Sequence, residues 1–481
     1  TGSWDTAALF RSWRPDLPLL AETSGKNAMI VMPSADLDLA ASDLVKSAFG
    51  HAGQKCSAAS LAILVGPVGR SPRFRRQLVD SVRSLRVGPP SDAMSEVGPV
   101  IERPHGKLEW ALTTLAEGES WLVEPMPLDF GPDTAGRYWT PGVRVGVQPG
   151  SRFHLEEFFG PVMGVMHAAT LAEAIELQNA VAYGLTAGLY TQDPGDLAQW
   201  LEAVEAGNLY VNRGITGAIV QRQPFGGWKR SSVGAGTKAG GPNYLVGLGS
   251  WRASSGSAGS STLHLRGLDS RITEIIESAQ PSMAYPAFEW LRRGALSDAI
   301  AWDREFGQVK DVSHLGVERN LFRYRPVPVA VRATSDATLE QVLRVVLAGV
   351  RAAAPFTVSL ARGLPAAVRR VLSDRGVPVF VETDVQFLQR LTADAAADDT
   401  AGVVASAPRP SRVRLVGTAR SVARVHRGMA EALGGDPDLA IYDNEVTTAG
   451  RIELLPFLHE QAIAITAHRF GNPDDWSEGV I

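Results

Sequence analysis

The sequence predicts an α/β protein with two sheet-containing parts, and three observations carry that expectation. Short apolar runs alternate with helical patterns from the first residues onward. A Ser/Gly-rich stretch, Ser250 to Ser261, interrupts the pattern. Beyond it the alternation resumes, with β-rich runs separated by amphipathic stretches. At 481 residues the chain exceeds what one small core accommodates and implies two or three domains.

The elements follow in order. Ala28–Met32 reads as a buried strand. Leu37–Phe49 has helical spacing with Asp36 as N-cap. Leu61–Val65 is a second buried strand, which places Cys56 in the loop between that helix and this strand, where α/β proteins carry their chemistry. Leu171–Ala182 reads as a helix capped by Thr170 with Glu173 at the third helical position, and Leu209–Asn212 as a strand. After the Ser/Gly stretch, strands are expected at Val329–Val331, Phe356–Ser359, Val377–Val381 and Val413–Val416. Helices at Leu339–Arg351 and Pro365–Asp374 separate them, as in a parallel sheet.

Composition narrows the function classes. A hydrophobic share of 45%, a charged share of 20% and a net charge of −4 describe a globular protein with no basic field for nucleic acid or acidic lipid. No apolar run approaches the ~20 residues that span a bilayer, and Thr1–Ala7 lacks a signal-peptide pattern. The nine His residues form no H-x-x-x-H pair, so no metal site is expected. The single cysteine fits a reducing compartment, and a cytoplasmic location is expected. Cys56 is either a buried small hydrophobe or a nucleophile. Gly50 and Gly53 leave space beside it, and the adjoining cation, Lys55, favours thiolate. Glu22 lies 34 positions upstream (56 − 22), between an apolar stretch and a glycine turn.

Four segments occur in sequence: Glu22-Thr23-Ser24-Gly25-Lys26, Gly53-Gln54-Lys55-Cys56, Glu157-Phe158-Phe159-Gly160-Pro161-Val162 and Pro224-Phe225-Gly226-Gly227. Their order and spacing resemble the aldehyde dehydrogenase superfamily. Gly53 to Ala58 and Lys238 to Leu245 are closest in style to the L-glutamate γ-semialdehyde (1-pyrroline-5-carboxylate) dehydrogenases. Glu453 to Gly471 resembles the C-terminal end of the bifunctional proline utilization (PutA) proteins, in which a flavin-dependent proline dehydrogenase domain comes first. The resemblance covers 1–250 strongly and 263–481 loosely.

The resemblance implies roles. Cys56 would be the nucleophile that adds to an aldehyde carbonyl, and Glu22 the base that activates water against the thioester. The Cys56 backbone N–H would help hold the oxyanion. NAD would be the cofactor, with Glu157 at the nicotinamide ribose, Phe159 beside it, and Gly2 and Ser3 in a turn at a helix N-terminus near the phosphates or adenine. FAD would enter only through a proline dehydrogenase domain upstream. Lys55, Ser57, Gly240 and Gly241 would bind the substrate carboxylate. Read from residues alone, Gly240-Gly241-Pro242 is a plain turn, and the resemblance makes it an anion anchor.

The expected division is 1–20, the remnant of an NAD-binding domain; 21–250, the catalytic domain; 251–262, a linker; and 263–481, a non-catalytic aldehyde dehydrogenase-like domain. The family's T-G-S turn falls midway through its NAD domain. The chain therefore resembles the C-terminal part of a longer protein, expected to be inactive alone and homo-oligomeric within its parent. Deleting 263–481 is expected to lower coupled proline-to-glutamate flux more than activity on added aldehyde. Two other readings remain: a dehydrogenase for a different ω-aldehyde, and a non-catalytic scaffold.

Overall fold

The computed structural model describes residues 1–131, 134, 136–252, 268–398 and 410–481. Most of the expected linker therefore lies outside the described residues. The central feature is a ten-stranded sheet. Its order is Lys310–Asp311, Glu318–Pro326, Leu458–Thr466, Asn208–Val211, Thr186–Tyr190, Asn27–Val31, Ala59–Val65, Val162–Ala168, Gly142–Val145 and Ser120–Val123. The seven strands from Leu458–Thr466 to Gly142–Val145 run parallel, and antiparallel pairs close both ends. Asn27–Val31 and Thr186–Tyr190 are buried at every position, as parallel strands covered on both faces must be. Helices Leu37–Phe49 and Pro72–Ser84 help form one apolar layer, with Leu44, Phe49, Phe74 and Leu78 in its core. Leu171–Asn179 and Pro194–Ala203 cover the other face, centred on Trp200.

A second, wholly parallel sheet has the order Val379–Val381, Phe356–Leu360, Val329–Ala333, Arg412–Val416, Ala440–Tyr442. By appearance in the chain this is 3-2-1-4-5, a doubly wound arrangement. Helices Leu339–Arg351, Ala366–Asp374, Asp384–Asp398 and Ala419–Ala432 connect its strands. The expected Rossmann-like second unit is present.

The expected boundary does not separate the two sheets. Three strands from beyond residue 262 belong to the first sheet: Lys310–Asp311, Glu318–Pro326 and Leu458–Thr466. Leu458–Thr466 pairs in parallel with Asn208–Val211, from Asn208 opposite Ala462 to Val211 opposite Ile465, and Ile463 and Ile465 complete an apolar layer around Trp200. Without this strand, Asn208–Val211 would be a bare hydrophobic edge. The chain thus leaves the first sheet, builds the second, and returns.

Candidate active site

Glu22 ends the two-residue strand Ala21–Glu22, which pairs antiparallel with Ser232–Val233 and so lies beside the Pro224-Phe225-Gly226-Gly227 segment. The Gly227 N–H donates to Glu22 Oε2 at 3.2 Å. Burial pushes the Glu22 carboxyl up to about 7, opposed chiefly by the Lys238 ammonium and the Gly227 hydrogen bond. A carboxyl in this range exchanges protons near neutrality, as a general base must. The Gly2 N–H donates to the Glu22 carbonyl at 3.2 Å. Ser3 caps the helix Trp4–Trp13 by accepting from Thr6 N.

Cys56 is the free thiol of the loop between Leu37–Phe49 and Ala59–Val65, and it is half-buried. The loop is held from three sides. Asn27 Nδ2 donates to the Cys56 carbonyl at 2.7 Å and to the Ala58 carbonyl at 3.0 Å. Gln54 Nε2 donates to the Phe159 carbonyl at 3.1 Å, and Gln54 Oε1 accepts from Ile101 N at 2.8 Å. Gly53 has φ +68, and a Cβ there would lie 2.1 Å from the Gly160 oxygen, so only glycine fits. A Cβ on Gly25 would lie 2.4 Å from the Cys56 oxygen, so the glycine turn after Glu22 abuts the thiol loop.

The electrostatics differ from the expectation built on Lys55. Burial pushes the Cys56 thiol up, the Glu157 and Glu22 carboxylates push it further, and the backbone N–H groups of Ser57 and Cys56 oppose them. The charged groups acting on the sulfur are therefore the two carboxylates; Lys55 lies half-buried next in sequence and is not among them.

Glu157 faces Cys56 from the loop after the short helix Arg152–Leu155. Its Oε1 accepts from Gly25 N at 3.0 Å and it is hydrogen-bonded to the Ser24 hydroxyl; burial raises its pKa. Phe159 follows with φ +55 and a partly exposed ring. Lys55, Glu157 and Phe159 line one small cleft together with Gly25 and Gly53. Glu22 instead lines a cavity of about 1000 Å³ between the first sheet and the second unit, with Lys238, Arg412, Tyr442, His459 and Glu460. Ser57 is buried beside Cys56. Gly240 is exposed with φ +72, and neither it nor Gly241 lines either cavity.

Sequence reasoning missed several residues. Asn27, which follows the Glu22–Lys26 segment, holds both the thiol loop and, through Oδ1, Thr186 N at 3.0 Å. Ser24 supports Glu157. Lys238 is 4% exposed and donates to Asn208 Oδ1 at 2.8 Å and to the Gly226 carbonyl. Among the described residues no group of three or more His, Cys, Asp or Glu can hold a metal ion, and no helix is long and apolar enough to cross a membrane.

Comparison with known proteins gives this geometry its lineage. The aldehyde dehydrogenase family model matches residues 1–247. A 1-pyrroline-5-carboxylate dehydrogenase from Geobacillus sp. (strain WCH70) is 39% identical over 238 residues, which is 47% of this chain and 43% of that protein. The corresponding protein from Bacillus subtilis (strain 168) is 38% identical over 228 residues, with the same coverage. The chain thus spans less than half the length of these relatives. The solved structure of Proline Utilization A (PutA) from Corynebacterium freiburgense is 42% identical and superposes with a TM-score of 0.77, covering 98% of this chain and 42% of that one. That superposition takes in the second sheet and the returning strand as well as the site. With a family model matching 247 of its 481 residues, the chain belongs to the aldehyde dehydrogenase family.

Proposed function

We propose that this chain is part of an NAD-dependent dehydrogenase that oxidises L-glutamate γ-semialdehyde, in equilibrium with 1-pyrroline-5-carboxylate, to L-glutamate. The observation that carries the reading is the half-buried Cys56 thiol with Glu22 and Glu157 as its charged neighbours. The names of the relatives and of the superposing structure supply the substrate class. In the parent protein a proline dehydrogenase domain, with FAD, would precede residue 1 and deliver the intermediate. The assembly would be a homo-oligomer in the cytoplasm.

Cys56 loses its proton and its sulfur adds to the aldehyde carbon. The Cys56 backbone N–H donates to the oxygen as it gains charge. NAD supplies a hydride acceptor when bound. The site fits that group: the Glu157 carboxylate has lone pairs left for a ribose diol after accepting from Gly25 and Ser24, and the Phe159 ring is open beside it. Gly2 and Ser3, at the N-terminus of Trp4–Trp13, would lie toward the phosphates. Glu22 then takes a proton from the water that attacks the thioester carbonyl, releasing the acid and restoring the thiol. Lys55, Ser57, Gly240 and Gly241 would bind the α-carboxylate. Gly240 with φ +72 tolerates no side chain without strain, which suits backbone N–H groups approaching an anion.

The test is NAD reduction by the full-length protein with 1-pyrroline-5-carboxylate and with a chain-matched ω-aldehyde lacking the α-carboxylate. The reading requires a strong preference for the former, and a preference lost in Gly240→Val. Equal rates with both substrates would assign the protein to a different ω-aldehyde.

A further inference from the structure

The carboxylate of Glu460, on the strand Leu458–Thr466, reaches the segment that faces Glu22. Glu460 is 7% exposed. Its Oε2 accepts from the backbone N–H of Lys238 at 2.6 Å, and its Oε1 accepts from Asn243 Nδ2 at 2.8 Å. The Lys238 side chain runs inward to Asn208 and the Gly226 carbonyl. Gly226 separates Lys238 from the candidate base: a Cβ there would lie 3.0 Å from Glu22 Oε1 and 3.1 Å from Lys238 Cγ. Trp228 locks the same strand in place, donating through Nε1 to the Glu460 carbonyl at 2.9 Å, with its ring 5.0 Å from that of His459 at a tilt of 31°. Three ionisable side chains, Glu460, Lys238 and Glu22, therefore meet here, with Lys238 acted on by both carboxyl groups. They come from the returning strand, the loop after Pro224-Phe225-Gly226-Gly227, and the strand that ends at Glu22.

We propose that Lys238 and Glu460 are positioning residues for the Glu22 base: Glu460 keeps Lys238 charged, and the Lys238 ammonium keeps Glu22 ionised. This rests on the reading of Glu22 as the thioester-hydrolysing base.

The physical argument concerns one proton and two buried groups. One peptide group links Glu22 to Lys238: the Lys238 ammonium donates to the Gly226 carbonyl, and the Gly227 N–H of the same peptide donates to Glu22. Burial favours the neutral forms, raising Glu22 to about 7 and lowering Lys238 to about 8. Glu22 and Glu460 are the two charges that raise Lys238 against its burial. Burial raises the Glu460 pKa; the hydrogen bonds from the Lys238 N–H and Asn243 and the charges of Lys238 and Arg412 oppose it, and Tyr324 and Tyr442 lie near. Neutralising Glu460 therefore tips the pair toward protonated Glu22, in which no base is available. The remaining groups facing Glu22 are the Gly227 N–H and the Cys56 thiol, and His459 faces Lys238.

The test is the pH profile of thioester hydrolysis in single turnovers of the full-length protein, in wild type, Glu460→Gln, Glu460→Asp and Lys238→Met. Removing the Glu460 charge moves the acid limb to higher pH by about one unit, a tenfold loss below pH 7. Glu460→Asp leaves the limb in place, and Lys238→Met moves it at least as far as Glu460→Gln. Reduced stability with an unmoved limb in Glu460→Gln and Lys238→Met would overturn the proposal and leave both residues as packing elements. A Glu460→Gln that fails to fold leaves Lys238→Met and Glu460→Asp to decide by the same limb. Glu22→Gln separates the two levels: if it still hydrolyses the thioester, the base assignment itself is wrong. If it does not, while the Lys238→Met limb stays fixed, only the positioning role fails.

Discussion

Burial and two carboxylates work against ionisation of Cys56, so the thiol rests protonated and its reactivity depends on what its neighbours carry. Replacing Glu157 by Gln removes one of those charges without touching the candidate base. The rate of Cys56 alkylation by iodoacetamide at pH 7 then rises; a fall would mean that Glu157 assists the thiolate. Glu22 has the opposite sign problem. Its carboxyl, raised to about 7, is a base only when deprotonated, so hydrolysis is fully supported above that pH and falls about tenfold per unit below it. A rate-limiting hydrolysis step that stays flat from pH 8 to pH 5 would contradict this. Cys56 and Glu22 stand out in the sequence as candidates through the motifs around them. Lys238 and Glu460 do not, because Lys and Glu are read by default as surface residues. Nothing local announces a carboxylate that acts from 222 positions away.

At the scale of elements, local signals were the most faithful. Leu37–Phe49 has the bounds expected, with Asp36 accepting from Asp38 N and Leu39 N, and Thr170 caps Leu171–Asn179 through Glu173 N. That second helix stops three residues short of the expected Ala182, and Ala180 forms its C-cap. Two-residue strands such as Ala21–Glu22 carry no periodicity and escape any pattern reading. The thiol loop depends on Gly53. Gly53→Ala forces a Cβ against the Gly160 oxygen at a left-handed φ, and a destabilisation of about 1–3 kcal/mol, read as a lowered Tm, is expected. Unchanged stability would show that the loop can move. In the second sheet, the strand expected at Val413–Val416 is Arg412–Val416, followed by the helix Ala419–Ala432, capped by Thr418. There the Asp336 carboxylate accepts from the hydroxyls of Thr334, Thr418 and Ser421, so an internal anion already sits at the helix N-terminus.

At the scale of the molecule, the return of Leu458–Thr466 changes what a truncation should do. Residues 263–481 were expected to serve mainly the transfer of the intermediate. A strand inside the first sheet, carrying Glu460 to Lys238, ties them to the aldehyde step as well. Ending the full-length protein before Leu458 should therefore abolish oxidation of added aldehyde along with coupled flux; retention of the former would show the strand to be dispensable. The boundary was misplaced because composition marks where a chain loosens, whereas parallel pairing between residues about 250 positions apart leaves no local trace. The helix Trp4–Trp13 exposes Leu9, Phe10 and Trp13, the last at 70%. Residues 1–481 alone are expected to show no NAD-dependent oxidation of 1-pyrroline-5-carboxylate, and measurable turnover would refute that.

The account rests on a covalent intermediate on Cys56 that Glu22 resolves. Mass spectrometry of the full-length Glu22→Gln protein after mixing with NAD and 1-pyrroline-5-carboxylate tests it directly. A glutamyl thioester accumulating on the Cys56 peptide, absent in Cys56→Ala, with hydrolysis slowed by about 10²–10⁴-fold, is the predicted result. Wild-type turnover in Glu22→Gln with an unmodified Cys56 would contradict it.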